Sequence, residues 1–144
     1  MHSSNARILY VEDDADTREL VSYVLARASY EVVVAEDPQQ AARLAQTESF
    51  DLYLIDNWMP GATGIELCDR VRKFDMDTPI LFYSGAAYEE DKRAARAAGA
   101  QGYLTKPADN DRLVEEVSRL ISDARRSRAA AHFVQIASSG HLGM

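Results

Sequence analysis

Five short apolar segments, each followed by a segment with helical periodicity, restrict the fold of this chain more than any other feature. The apolar segments are ILYV at 8–11, EVVVA at 31–35, DLYLI at 51–55, PILFY at 79–83 and GYL at 102–104. The first, third and fourth are apolar on both faces, which is typical of strands in a parallel sheet covered on both sides. Because crossovers between parallel strands are right-handed, we predict an α/β fold, a (βα)5 doubly wound five-stranded parallel sheet. Two strand orders are common in such sheets, and the pattern alone does not distinguish them.

Capping signals indicate where the intervening helices begin and end. The predicted starts are Asp16 with Glu19, Asp37 with Pro38, Thr63 with Glu66, Tyr88, and a position near Asp109. An acid or hydroxyl followed three residues later by Glu forms a capping box, and proline fits the first helical position. The fourth helix is predicted to stop at Gly99, because glycine is favoured just after a helix. The last helix carries apolar residues at helical spacing from Leu113 to Ala124.

The chain has 144 residues, enough for one domain with a core and too few for two ordinary ones. After residue 124 the sequence becomes basic, then Ala-rich, then rich in Ser and Gly. We therefore predict one domain at 6–125 and a C-terminal helix extension, linker or tail at 126–144. The last helix could continue to about Ile136, and this extension is a candidate for homodimerisation.

Composition excludes several classes of function. A net charge of -7 disfavours nucleic acid as a direct partner, because phosphate binding needs a basic surface. The single Cys68 excludes an internal disulfide and fits a reducing compartment. No apolar run approaches the ~18 residues of a membrane span, and residues 1–5 contain no signal-peptide core. We expect a cytoplasmic protein without a membrane partner.

Polar side chains follow four of the predicted strands at the point where each strand ends. They are Glu12, Asp13 and Asp14 after the first strand, Asp56 after the third, Ser84 after the fourth and Lys106 after the fifth. Taken singly, each has a structural explanation as a helix cap, a turn residue or a surface charge. In an open α/β sheet, however, the carboxyl ends of the strands form the ligand site. We therefore expect these side chains to meet.

The combination of residue types indicates metal-assisted phosphoryl chemistry. Carboxylates from neighbouring strands repel each other unless a cation lies between them. Oxygen ligands without His or Cys favour Mg²⁺, with Mn²⁺ as an alternative. A lysine and a hydroxyl supply a charge and a hydrogen bond to a phosphoryl group. An ionised aspartate is a competent nucleophile that forms an aspartyl phosphate, and Asp56 is our candidate.

Four motifs occur in order at the expected strand ends: RILYVEDD at 7–14, DLYLIDNWMPGATGIEL at 51–67, PILFYSGAA at 79–87 and GAQGYLTKP at 99–107. Over residues 6 to about 125 the chain resembles the receiver domains of bacterial two-component response regulators. The resemblance implies the strand order 2-1-3-4-5 and a cis peptide bond between Lys106 and Pro107.

The resemblance also implies a role for each site residue. Asp56 matches the phosphoacceptor. Glu12 and Asp13 match the acidic pair that holds the metal, with Asp14 as the rival for that pair. The backbone carbonyl of Trp58 matches a further metal ligand. Two more side chains match the residues that contact the phosphoryl group, namely the hydroxyl of Ser84 and the ammonium of Lys106.

The family's switch implies a further pair of residues. Ser84 would move toward the phosphoryl oxygens, and Tyr103 on the fifth strand would turn inward behind it. The face made by the fourth helix, fifth strand and fifth helix would then change, and a downstream protein effector would bind it. The phosphoryl group would come from a sensor histidine kinase or a phosphotransfer protein. The chain would be a signalling phosphoacceptor rather than an enzyme.

Two alternatives remain open. The first is a receiver-like interaction module that works without phosphorylation, although the set of Glu12, Asp13, Asp56, Ser84 and Lys106 is complete. The second is a Mg²⁺-dependent phosphatase. Such enzymes usually carry a second acid two residues after the nucleophile, where this chain has Trp58. A large indole there borders the route of the hydrolysing water, so we expect it to affect the lifetime of the phosphoryl group.

Overall fold

Strands and helices alternate along the chain as the sequence predicts. The computed structural model describes residues 6–59, 62–85 and 88–142. The strands of the main sheet are β1 (Arg7–Val11), β2 (Glu31–Ala35), β3 (Leu52–Ile55), β4 (Ile80–Ser84) and β5 (Gly102–Thr105). The helices are α1 (Ala15–Arg27), α2 (Pro38–Thr47), α3 (Gly64–Arg72), α4 (Glu89–Ala98) and α5 (Asn110–Leu142). A short hairpin of Trp58–Met59 and Ala62–Thr63 precedes α3. Pro60 and Gly61 of the second motif, and Ala86 and Ala87 at the end of the third motif, lie outside the described residues.

The main sheet is parallel throughout, in the order β2-β1-β3-β4-β5. This confirms the fold class and the strand order 2-1-3-4-5. The register aligns Ile55 with Phe82, and Phe82 with Tyr103. All five strands end at the same edge, so the residues that follow them are brought together there.

Successive residues of each strand enter different hydrophobic layers. Ile55 and Phe82 belong to the layer that packs against α2, α3 and α4. Leu54 and Leu104 belong to the opposite layer, which packs against α1 and α5. This alternation follows from the pleat of a β-strand. It explains why the central strands are apolar on both faces, and it assigns a face to each residue just beyond a strand end.

Most predicted helix boundaries are confirmed, but the start of α1 is wrong by two residues. Asp14, not Asp16, is the N-cap, and its carboxylate accepts hydrogen bonds from the backbone N–H of Thr17 at 2.9 Å and from the Thr17 hydroxyl at 2.6 Å. Asp16 lies in the first turn, where an acid interacts favourably with the helix dipole. The confirmed signals are the Asp37 cap, the Thr63–Glu66 capping box and the left-handed Gly99 with φ of 110°.

The last helix extends further than expected. It runs without interruption to Leu142, beyond the expected end near Ile136. Its first half packs on the sheet through Leu113 and Val117. Further along, Phe133 is 72% exposed and Ile136 is 57% exposed. Among the described helices, none combines the length and the apolar character that crossing a membrane would take.

A hydrogen-bonded acid closes the loop between α3 and β4. The Asp75 carboxylate accepts a hydrogen bond from the Tyr53 hydroxyl at 2.6 Å and from the backbone N–H groups of Asp77 and Thr78, both at 3.1 Å. Partial burial works to raise the pKa of Asp75, but the hydrogen bonds from Tyr53 and Thr78 outweigh it and lower the pKa below its ordinary value. The ionised carboxylate therefore stabilises the fold.

We expect Asp75→Asn to lower the free energy of unfolding by about 1 kcal/mol at pH 7, because the charged hydrogen bonds are weakened. A carboxyl whose pKa is lowered on folding contributes stability above its unfolded pKa and loses it as the pH falls through the folded value. The difference between the two proteins should therefore narrow below about pH 4. Urea unfolding at pH 7 and at pH 3 measures this, with the exposed Asp77→Asn as control. An unchanged difference at both pH values would contradict it.

Candidate functional site

The acids that follow β1 and β3 meet at the carboxyl edge of the sheet. Glu12, Asp13 and Asp56 each offer one carboxylate oxygen, and these three atoms all lie within 4.8 Å of one another. Glu12 is 1% exposed and Asp56 is 8% exposed, whereas Asp13 is open to solvent. Three carboxylate oxygens at this separation, one of them facing water, fit a hard divalent cation that keeps several water ligands. The donor set therefore fits Mg²⁺.

The structure separates Asp14 from this cluster. Its carboxylate is engaged at the start of α1 by Thr17, and only its backbone N–H contacts the site, donating to Glu12 Oε2 at 3.3 Å. Asp14 therefore acts as a helix cap, and the acidic pair at the edge is formed by Glu12 and Asp13. Glu12 and Asp13, which match the family's acidic pair in the sequence, are the two residues that the fold brings close to Asp56.

Lys106 reaches across the edge from the end of β5. Its Nζ atom lies 2.6 Å from Glu12 Oε1 and 3.6 Å from Asp56 Oδ2. The Nζ atom also lies 5.6 Å from the centre of the Tyr83 ring, where a cation–π interaction stabilises the charge. The peptide bond between Lys106 and Pro107 is cis, as the resemblance implied. The lysine thus carries its charge to the buried acids.

The charges at this edge depend on one another. Burial raises the pKa of Glu12 and the charge of Asp56 adds to that effect, while the hydrogen bond from Lys106 opposes it; the net direction is upward. Burial alone would lower the pKa of Lys106, but its hydrogen bond to Glu12 and the charges of Asp56 and Glu12 raise it. The ammonium is therefore firmly charged and serves as the counter-ion of two buried acids.

The backbone of Trp58 lies beside Asp56, the candidate phosphoacceptor. Its N–H donates to Asp56 Oδ1 at 3.4 Å, and its residue pairs with Thr63 in the short hairpin. The side chain is 60% exposed. The backbone of Trp58 therefore contacts the Asp56 carboxylate, while its indole is largely exposed to solvent.

Ser84 is the last residue of β4, and Tyr103 lies on the neighbouring strand β5. Ser84 is fully buried, and its carbonyl accepts a hydrogen bond from the Lys106 backbone N–H at 3.0 Å. The half-buried Tyr103 ring stacks on Phe82, with centroids 5.5 Å apart and planes 3° from parallel. Burial raises the pKa of Tyr103, and side-chain hydrogen bonds with Asn57 and Ser84 partly offset this. The ring thus already lies inward in this structure.

Asn57 is the site residue that the sequence analysis missed. It is 4% exposed, and it is one of the groups that work against burial by lowering the pKa of Tyr103. One signal could have identified it, because the strand alternation continued past Ile55 directs residue 57 into the layer of Phe82 rather than toward the acids. A buried amide ordinarily has hydrogen-bond partners, but the Asn57 Oδ1 atom has none among the residues that the structure describes.

Comparison with known proteins agrees with this geometry. The family model described as "Response regulator receiver domain" matches residues 8–118. The Bacillus subtilis protein named "Uncharacterized transcriptional regulatory protein YrkP" is 41% identical over 120 residues, covering 83% of this chain and 50% of that protein. This chain thus spans about half the length of the curated relatives it matches.

Two solved receiver structures show the same fold. A CheY-like receiver domain protein from Methanospirillum hungatei superposes with a TM-score of 0.83 at 27% identity, covering 86% of this chain and 99% of that one. The receiver domain of the sensor histidine kinase PA1611 from Pseudomonas aeruginosa gives a TM-score of 0.77 at 26% identity, covering 83% and 99% of the two chains. That structure holds a magnesium ion in its active-site cleft. With the family model matching most of its length, this chain belongs to the response regulator receiver domain family.

Proposed function

We propose that the chain is a cytoplasmic phosphoacceptor that takes a phosphoryl group onto Asp56 from a sensor histidine kinase or a phosphotransfer protein. The observation that carries the proposal is the cluster of Glu12, Asp13 and Asp56 within 4.8 Å, with Lys106 Nζ placed against two of them. A buried aspartate with a purely structural role would not need two further acids and a lysine close to it.

In the proposed reaction, one carboxylate oxygen of Asp56 attacks the phosphorus of the donor, and the bond from phosphorus to the donor breaks. Lys106 stabilises the negative charge on the transferring group, since its ammonium lies 3.6 Å from Asp56 Oδ2. The Ser84 hydroxyl donates a hydrogen bond to a phosphoryl oxygen. Water later attacks the phosphorus and releases inorganic phosphate.

Glu12, Asp13, Asp56 and the Trp58 carbonyl would hold Mg²⁺, with Mn²⁺ as a substitute. When bound, the ion neutralises charge on the phosphoryl oxygens. Glu12 would supply a carboxylate oxygen from the buried side of the site, and Asp13 would supply one from the side that faces solvent.

The output surface is formed by α4, β5 and α5, where Tyr103 lies. We propose that a downstream protein effector binds it and that Ser84 and Tyr103 change with the phosphorylation state. We propose the lack of direct nucleic-acid binding only for the residues of this chain. The match covers half of its relative YrkP, which is named a transcriptional regulatory protein. The interaction module that works without phosphorylation is the alternative that the following experiment tests.

We expect the protein to gain the mass of one phosphoryl group when incubated with acetyl phosphate and Mg²⁺, and to lose that gain in Asp56→Asn or with a chelator. The reaction needs the Asp56 carboxylate as the nucleophile and the divalent cation to neutralise negative charge. Intact-protein mass spectrometry measures the gain. Asp14→Asn is the matched control and should be phosphorylated normally, because Asp14 caps α1. Absence of any gain with every donor would favour the alternative module, and steady turnover of a phosphomonoester would favour a phosphatase.

We also expect Trp58→Ala to shorten the lifetime of the phosphoryl group, because the indole beside Asp56 restricts the approach of water. The decay of the phosphorylated protein after removal of the donor gives the lifetime. Phe133→Ala is the control, since Phe133 is also a largely exposed aromatic and lies on the second half of α5. Equal lifetimes for wild type and Trp58→Ala would refute this role.

A further inference from the structure

The backbone that carries the acidic pair begins just beyond the last paired residue of β1. The register of the sheet ends at Val11, which is aligned with Ala35 on β2 and with Ile55 on β3. A further backbone hydrogen bond runs from the N–H of Glu12 to the Ala35 carbonyl at 3.1 Å. The carbonyl groups of Glu12 and Asp13 come after this point, so they lie beyond the part of the loop that the strand register holds.

One guanidinium group from α1 binds both of these carbonyls. Arg18 Nη1 donates to the Glu12 carbonyl oxygen at 2.9 Å and to the Asp13 carbonyl oxygen at 3.4 Å. The Arg18 side chain is 18% exposed, so these hydrogen bonds are largely protected from water. Hydrogen bonds from a charged donor are stronger than those between neutral groups. Arg18 therefore holds the backbone of the two acids.

The same guanidinium joins the loop to the end of β2. Arg18 Nη2 lies 3.3 Å from Glu36 Oε1, and Glu36 directly follows Ala35, the last residue of that strand. The N–H of Glu36 donates in turn to Gln40 Oε1 on α2 at 2.9 Å. Because the Glu36 carboxylate is largely exposed, the ion pair alone is weak. Its effect is to orient the guanidinium, whose planar fork can bind two partners at once.

Arg18 acts on the main chain of the acidic pair, while the side chains of that pair belong to the site itself. The carboxylate oxygens of Glu12 and Asp13 lie within 4.8 Å of that of Asp56. Glu12 Oε1 also accepts a hydrogen bond from Lys106 Nζ at 2.6 Å. Since a side chain extends from its own Cα atom, the distance between these carboxylates and Asp56 depends on where the loop backbone is held.

A loop held in this way favours one cation over another. Mg²⁺ requires nearly octahedral coordination at short distances to oxygen, whereas Ca²⁺ accepts longer distances and irregular geometry. Carboxylates with fixed positions can therefore discriminate between the two ions, and carboxylates on a loose loop can adapt to either. Groups that orient the ligands of a metal contribute about 10- to 100-fold to its affinity.

We propose that Arg18 is a positioning residue that holds the Glu12–Asp13 backbone and thereby makes the site selective for Mg²⁺ over Ca²⁺. The inference rests on the proposed function for the role of the site, because phosphoryl transfer to Asp56 depends on the same metal. Arg18 acts through the two acids whose carbonyls it binds. The guanidinium, the acidic loop and the end of β2 form one connected unit.

The test measures the dissociation constants of Mg²⁺ and Ca²⁺ for the unphosphorylated chain by NMR titration of the backbone amide signals. In Arg18→Gln we expect the constant for Mg²⁺ to rise about tenfold. The rise for Ca²⁺ should be smaller, because Ca²⁺ tolerates displaced carboxylates.

Arg27→Gln is the matched control, since Arg27 is an exposed arginine of the same helix and its loss changes the net charge equally. Both dissociation constants should stay close to those of wild type. An unchanged Mg²⁺ constant in Arg18→Gln would overturn the proposal. An equal rise for both ions in Arg18→Gln would indicate a general loss of charge or structure and would overturn it as well.

Arg18→Lys separates the charge of the side chain from its shape. Lysine keeps the positive charge but lacks the planar fork that binds the carbonyls and Glu36 together. We expect a Mg²⁺ dissociation constant between those of wild type and Arg18→Gln. If Arg18→Lys matched wild type in both affinity and selectivity, charge alone would explain the effect and the positioning role would fail.

A measurement on the wild-type protein does not depend on the folding of any variant. In protein labelled with ¹⁵N at arginine, the Nη groups of Arg18 should give separate signals, because partners on both Nη atoms hinder rotation of the guanidinium. The exposed Arg93 is the reference for an averaged signal. An averaged signal for Arg18 would contradict the proposal.

Incubation with acetyl phosphate and Mg²⁺ separates failure of this inference from failure of the proposed function. If wild type binds Mg²⁺ but never gains a phosphoryl group, the proposed function fails, whereas the role of Arg18 in metal selectivity stands. If wild type is phosphorylated and Arg18→Gln binds both ions as wild type does, the role of Arg18 fails and the proposed function stands. Absence of Mg²⁺ binding by wild type would overturn both.

Discussion

The ammonium of Lys106 lies against two buried carboxylates that come from two other strands, and the arrangement of the whole edge depends on this balance of charge. Glu12 and Asp56 are almost completely buried, and two carboxylates cannot both remain ionised at such a place without a nearby cation. Lys106 passes above the Tyr83 ring to reach them, so it links the end of β5 to the ends of β1 and β3 across β4. A site of this kind has a high density of fixed charge before any ligand binds, which suits the binding of a metal ion and a phosphoryl group.

The proposed phosphoryl site and the proposed switch residues are adjacent at the carboxyl edge of the sheet. Val11 and Ile55, the residues before Glu12 and Asp56, belong to the layer of α2, α3 and α4, and the Tyr103 ring packs against the same layer. The backbone N–H of Lys106 donates to the Ser84 carbonyl at 3.0 Å, so the backbones of these two residues are directly joined.

Much of this could be predicted from the sequence because it depends on local patterns. The strands are short runs of β-branched and aromatic residues, and the Asp37, Thr63 and Gly99 signals are local capping chemistry. The strand order came from the resemblance alone, since several orders satisfy the same pattern of elements. Asp14 was not predicted as the cap of α1, because the residue three positions later is Thr17 and not the acid of a capping box. In the structure the Thr17 hydroxyl donates a hydrogen bond to the Asp14 carboxylate.

The stacking of Tyr103 on Phe82 was not predictable, because it joins two residues that are distant in the chain and depends on the register between β4 and β5. The length of α5 was underestimated for a different reason. Residues 126–137 of this helix are exposed, so no burial pattern in them marks where the helix ends, and the alanine-rich segment continues the helix by its intrinsic propensity.

The most direct test of the central claim is to locate the phosphoryl group chemically. Borohydride reduces an acyl phosphate on aspartate to homoserine, and fragmentation of the reduced protein by tandem mass spectrometry identifies the modified position. The charge arrangement described above predicts homoserine at position 56 alone, formed only in the presence of a divalent cation. Homoserine at position 13 or 14, or modification of Asp56 at the same rate without the cation, would contradict the account.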